Sequence, residues 1–202
     1  MNPASDEAIG LVASRQVGPT VADDIKNTAF IAVIFSLLTI FLYLLFRFSK
    51  WQYSLGAVAA TVHDTIIVLG AYSILDGILP FSLEVDQAFI AAILTVIGYS
   101  LNDTVVVFDR IREFFNAESK GESKHEIIDN ALNSTLSRTF NTSATTIIVL
   151  LIIFVFGGEV LRGFIFAILL GVLVGTYSSL FIASPVLHDT TCLLYTSPSP
   201  RD

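Results

Sequence analysis

A single cysteine, Cys192, stands among 202 residues, which excludes an internal disulfide framework and any cysteine-based zinc or redox motif. Charge is equally thin, since only 14% of the residues are Asp, Glu, Lys or Arg, against about a quarter in soluble domains. With 11 basic and 18 acidic residues, the chain has no basic patch to offer nucleic acid. The net charge of −7 falls mostly in loops and at both ends, so it names no ligand. Neither a GxxxxGK[ST] phosphate loop nor a GxSxG elbow occurs, and ATP hydrolysis is not expected. His125-Glu126 opens like a zinc-protease HExxH, but Asp129 occupies the place of the second His. The pair reads as a solvated helix start, and no metal, cofactor or enzymatic activity is expected.

What the chain has instead is apolar length. Fully 53% of it is hydrophobic and the mean hydropathy is +0.73, the balance of an all-α polytopic membrane protein. Five runs approach the roughly 20 residues needed to cross a hydrocarbon core: 28–46, 54–75, 88–108, 138–156 and 163–187. Arg47 and Lys50 close the first, and Asp76-Gly77 and Pro80 turn the chain after the second. Between the third and fourth, residues 109–137 are polar. There Ile127, Ile128, Ala131, Leu132, Thr135 and Leu136 recur at helical spacing, predicting an amphipathic helix at the membrane surface.

The polar residues inside these runs carry the argument. Asp103 lies in the third run with Tyr99, Ser100 and Asn102 around it, and Asp64 follows His63 in the second. A carboxylate at mid-span costs about 2.5 to 3.5 kcal/mol on insertion scales, so it is expected to face a bundle interior or an aqueous cavity. Arg138 opens the fourth run. If the third and fourth spans pack side by side, Asp103 and Arg138 can approach through Tyr99, Asn102 or water, and Asp64 can reach the same cavity. The set Asp64, Asn102, Asp103 and Arg138 then forms a candidate proton path. The other reading makes Asn102 and Asp103 interhelical glue and Arg138 an anchor that snorkels to the headgroups. Gly56 and Ala60 precede Asp64 at four-residue spacing, and Ala167, Gly171, Gly175 and Ser179 repeat every four residues, which predicts close helix packing at both stripes.

Lysine and arginine concentrate after the first run and in 109–137, whereas the opposite loops hold only Arg162. The basic loops are therefore expected to be cytoplasmic and residues 1–27 external. The stretch from Thr190, TTCLLYTSPSPRD, breaks the preceding pattern and reads as a non-native tail.

Five blocks, VGPTVADDIKNTA, AATVHDTIIVLG, IGYSLNDTVVVFDRIREFF, LSRTFNTSATTIIVLLIIFVFGGEVLRGF and GVLVGTYSSLFIASPVL, resemble in order and spacing the membrane half of SecF protein-export subunits and of fused SecDF proteins. The likeness covers about 16–187. It implies a member of the RND superfamily that works with SecD and the SecYEG channel, and with YajC and YidC as further candidate partners. Such a subunit uses the proton-motive force, or sodium in some lineages, to promote export of presecretory polypeptides across the bacterial inner membrane. It further implies that the five runs correspond to spans two to six of a six-span bundle, with 1–27 the end of an external domain. The family's intramembrane Asp falls on Asp103, its paired Arg on Arg138, and its HD pair on His63 and Asp64. A proton-coupled exporter of lipid or small molecules within the same superfamily is the alternative.

Overall fold

The computed structural model describes residues 19–117 and 123–193, and among them every regular element is helical. Six helices follow one another: α1 (Pro19–Phe48), α2 (Trp51–Leu75), α3 (Gln87–Ala117), α4 (Lys124–Phe156), α5 (Glu159–Ser178) and α6 (Ser184–Leu193), the last two joined by a π-turn, Ser179–Ala183. Five helical segments are long and apolar enough to cross a membrane, counting Glu159–Thr191 as one.

The turns follow from local chemistry. Ser49 takes a left-handed φ of 56°, its N–H bonds the Leu45 carbonyl at 2.9 Å, and the chain reverses into α2 two residues later. At the far end of α2, Gly77 adopts φ 74°, a conformation in which any Cβ is strained. Ser123 caps α4, accepting from the Glu126 N–H while Glu126 accepts from the Ser123 N–H, a reciprocal capping box.

One expectation changes at this point. The amphipathic stretch around 127–136 is not a separate surface helix but the first turns of α4, which runs unbroken for 33 residues. Nothing between Leu136 and Phe140 breaks a helix, and at 1.5 Å per residue α4 is about 50 Å long, against about 30 Å of hydrocarbon. Its polar first third therefore extends beyond the core of a bilayer. Ile127, Ile128 and Ala131 are nonetheless buried.

The bundle is built around α3, whose inner face runs from Phe89 through Ala92, Val96, Ser100, Asp103, Val107 and Ile111. Along it lies α5. A Cβ on Gly171 would strike Val96, and one on Gly175 would stand 2.9 Å from Ser100 Cβ, so both glycines set how closely the two helices approach. Gly56 does the same on α2, where a Cβ would lie 2.8 Å from the Ala183 carbonyl oxygen, and Ala60 is fully buried. By contrast α1 leans mainly on α2 and exposes Phe30, Phe35 and Phe46.

Aromatic clusters close both ends of the bundle. Phe48 stacks on Tyr53 at 4.8 Å with Phe108 edge-on to both, at the end that carries Arg47. At the other end Tyr72, Phe89, Phe81, Phe154 and Phe166 form a second group, and the Tyr72 hydroxyl donates to the Gly163 carbonyl at 2.5 Å. Offset and edge-to-face pairs of this kind add to the area they bury. The layer between the two clusters is polar.

Candidate functional site

Two carboxylates occupy that middle layer, Asp64 on α2 and Asp103 on α3. Asp64 is 1% exposed. Its Oδ2 accepts from Ser100 Oγ of α3 at 2.5 Å and from Ser178 Oγ of α5 at 2.8 Å, while Oδ1 lies 3.1 Å from Nδ1 of half-buried His63. Three helices are thus tied to one side chain.

Asp103 is 3% exposed and far less engaged. Among the described residues its one hydrogen-bond partner is Ser143 of α4, whose Oγ donates to Oδ2 at 3.3 Å. Ser143 is itself 2.6 Å from Thr176 Oγ1 on α5, and Thr176 reaches the Val172 carbonyl at 2.7 Å. One turn along α4, the buried Thr139 hydroxyl has no partner among the described residues.

Arg138 stands near enough to Asp103 to act on it as a charge, yet no ion pair joins the two among the described residues. The guanidinium is exposed and borders a cleft of about 300 Å³ lined also by Val106, Asp109, Arg110, Glu113, Ser134 and Thr135. Arg110 and Arg112 are held at the same end. Arg110 donates to Glu113 at 2.6 Å and Ser134 at 2.9 Å, and Arg112 donates to the Arg47 carbonyl at 3.3 Å. Arg47 pairs with Asp109 at 2.8 Å.

Two expectations need correction. Asn102 does not bridge Asp103 to Arg138: it is exposed on the outer surface of α3, because consecutive residues on a helix point about 100° apart and only one of the two can face inward. Tyr99 does not bridge them either, since its hydroxyl donates to Thr146 Oγ1 at 3.1 Å. Asp64 and Asp103 have separate hydrogen-bond sets, which come within one turn of each other at Ser100 and Asp103 on α3 and at Ser178 and Thr176 on α5.

Nothing in the sequence marks out the hydroxyls Ser143, Thr176 and Ser178 that bond the two carboxylates and each other. Serine and threonine are ordinary in membrane helices, where they bond back to their own backbone. The usable signal was position: Thr176 and Ser178 flank the small-residue stripe that touches α3.

Gly98, Asn102, Arg138, Asn141, Thr142 and Thr145 form an exposed, largely polar strip on α3 and α4. Five apolar spans around a polar middle layer define a multi-pass helical membrane protein. The chain matches the family described as protein export membrane protein SecD/SecF, C-terminal, over residues 2–192, and it belongs to that family. It is 55% identical over 179 residues to the protein translocase subunit SecF of Rhodothermus marinus, covering 89% of this chain and 58% of that protein. For SecF of Vibrio alginolyticus the values are 49% over 178 residues, 88% and 54%, and for the protein translocase subunit SecDF of Brucella abortus 45% over 171 residues, 85% and 22%. The fold matches the crystal structure of SecDF in a super-membrane-facing form with a TM-score of 0.77 at 37% identity, over 90% of this chain and 23% of that one. The chain spans little more than half the length of the SecF relatives named here.

Proposed function

We propose that this chain is the membrane-embedded part of an auxiliary subunit of the Sec translocase, which uses the proton-motive force, together with SecD, to promote protein export through SecYEG across the bacterial inner membrane. The observation that carries the reading is Asp103, a buried carboxylate at mid-span with one long hydrogen bond and a cation nearby. A charged group so little compensated is poised to bind and release a proton. Moving one charge through 100 mV supplies about 2.3 kcal/mol, enough to bias a conformational equilibrium roughly fiftyfold without any covalent step.

In this reading Asp103 carries the proton and Arg138 is its counter-charge. Asp64, whose oxygens are already engaged, anchors the bundle. Asn102 and Arg138 belong to the strip that a second helical bundle covers, because polar side chains within a span are costly against lipid. SecD is the partner proposed for that strip, in keeping with the fused SecDF relatives. The end bearing Arg47, Lys50, Arg110 and Arg112 faces the cytoplasm, as the excess of lysine and arginine there requires.

The test is Asp103→Asn in vesicles holding the subunit, SecD and the channel, with export of a presecretory protein followed with and without a proton gradient. Loss of the gradient-dependent part, with assembly intact, is the expected result; unchanged export refutes the reading.

A further inference from the structure

Ser143 and Thr176 present a hydrogen-counting problem. Three contacts run in series from Asp103 Oδ2 to Ser143 Oγ, from there to Thr176 Oγ1, and on to the Val172 carbonyl, at 3.3, 2.6 and 2.7 Å. Each hydroxyl owns one hydrogen, and neither an ionised carboxylate nor a carbonyl owns any. With Asp103 ionised, two hydrogens serve three contacts and one contact is empty. With Asp103 protonated, three hydrogens serve three contacts and the series closes.

We infer that Ser143 and Thr176 are positioning residues forming a two-state hydroxyl relay, which passes the protonation state of Asp103 to α5. In the ionised state Thr176 donates to Ser143 and Ser143 donates to Asp103, leaving the Val172 carbonyl without the hydroxyl. When a proton from water binds Oδ2, that O–H donates to Ser143, the Ser143 hydrogen turns to Thr176, and the Thr176 hydrogen turns to Val172. No heavy-atom bond is made or broken, and the added proton is the extra hydrogen that closes the series.

The receiving turn of α5 is where a small change matters. Ser179, which opens the π-turn, donates to the Thr176 carbonyl at 3.0 Å, and Ser178 holds Asp64. π-turns recur where helices adjust for function. The charged and titratable groups around the relay are Arg138 on α4, His63 and Asp64 on α2, and Tyr99, Asp109 and Arg110 on α3, whereas α5 carries no charged residue between Arg162 and the π-turn and only the exposed Tyr177 as a phenol. The local response of α5 is therefore carried by the hydroxyls.

This inference rests on the reading of Asp103 as the proton carrier, and the experiment separates the two. The subunit is assembled with SecD in lipid vesicles, and the carboxyl C=O stretch of Asp103, assigned by its loss in Asp103→Asn, is followed by difference infrared spectroscopy across pH. Ser143→Ala removes a donor to the ionised form and an acceptor for the protonated one, and because the bond to the charged carboxylate is the stronger it is expected to move the midpoint up by about one pH unit, with Ser143→Thr restoring it. Thr176→Val is expected to move the midpoint in the native background and to leave it unmoved in the Ser143→Ala background, with Thr176→Ser near native in both. A midpoint indifferent to Ser143→Ala, or a Thr176→Val effect equal in both backgrounds, overturns the relay. If Asp103→Asn leaves gradient-driven export intact, the coupling reading falls, and the spectroscopic cycle still decides the relay.

Discussion

Asp64 and Asp103 are both aspartates, both almost fully buried and both in the middle of apolar spans, yet they are held in opposite ways. Asp64 is gripped by Ser100, Ser178 and His63, whereas Asp103 has one hydroxyl at 3.3 Å. Burial alone does not tell a structural acid from a working one. The difference lies in how many donors the fold supplies: a saturated carboxylate fixes its neighbours, and the undersupplied one is the proton carrier proposed above.

The contrast breaks most readily at Asp64. Interhelical hydrogen bonds in membranes average about 0.6 kcal/mol each, so removing the two from Ser100 and Ser178 in Asp64→Ala is expected to destabilise the bundle by about 1.2 kcal/mol, measured by reversible unfolding in detergent or lipid. Loss no greater than that of Asp103→Ala removes the distinction. Next comes Gly175→Ala, whose Cβ would stand 2.9 Å from Ser100 Cβ and push Ser100 off Asp64. A cost near 1 kcal/mol is expected, at the low end for overpacking, and it should shrink when Asp64 is already replaced. Asp103→Asn removes one long contact and is expected to cost only about 0.6 kcal/mol while abolishing gradient-dependent export. A large stability loss in that variant would make Asp103 a second anchor.

The smallest effect is sought at an acid outside the membrane. Hydrogen bonds from the Ser123 backbone and side chain hold the Glu126 carboxyl below its usual range, so its capping contribution is present above the unfolded value of about 4.3 and is lost as pH falls through the lowered folded value. Hydrogen exchange at the first turn of α4 should rise over that acidic window in the native protein and stay flat in Glu126→Gln, which keeps the cap but does not titrate. Equal profiles would remove the carboxylate from the account.

Sequence carried the fold class and pointed to the two acids, because an apolar run of sufficient length and a charge within it are both one-dimensional signals. It did not reveal which face each residue takes. In a soluble helix the polar side marks the exterior, but in lipid both sides are apolar and the periodic signal fades. Asn102 therefore reads in sequence as a neighbour of Asp103, although the two point apart. The hydroxyl partners were hidden for a related reason: only the approach of α4 and α5 to α3 distinguishes Ser143 and Thr176 from other serines and threonines in the chain. The continuity of α4 was obscured because a polar stretch reads as a loop until its capping box and unbroken backbone are seen.

The π-turn at Ser179–Ala183 settles a problem of phase. Residues 171, 175, 179, 183 and 187 are buried in strict fours, but a regular α-helix advances about 100° per residue, and sixteen residues would carry the last of them about 160° around from the first. Widening one turn absorbs much of that drift. The same side of the helix then faces inward along its whole length, meeting α3 at Gly171 and Gly175 and meeting α2 where the Ala183 carbonyl rests against Gly56. A one-residue deletion within that turn would leave a perfectly good helix whose far half is rotated out of the bundle.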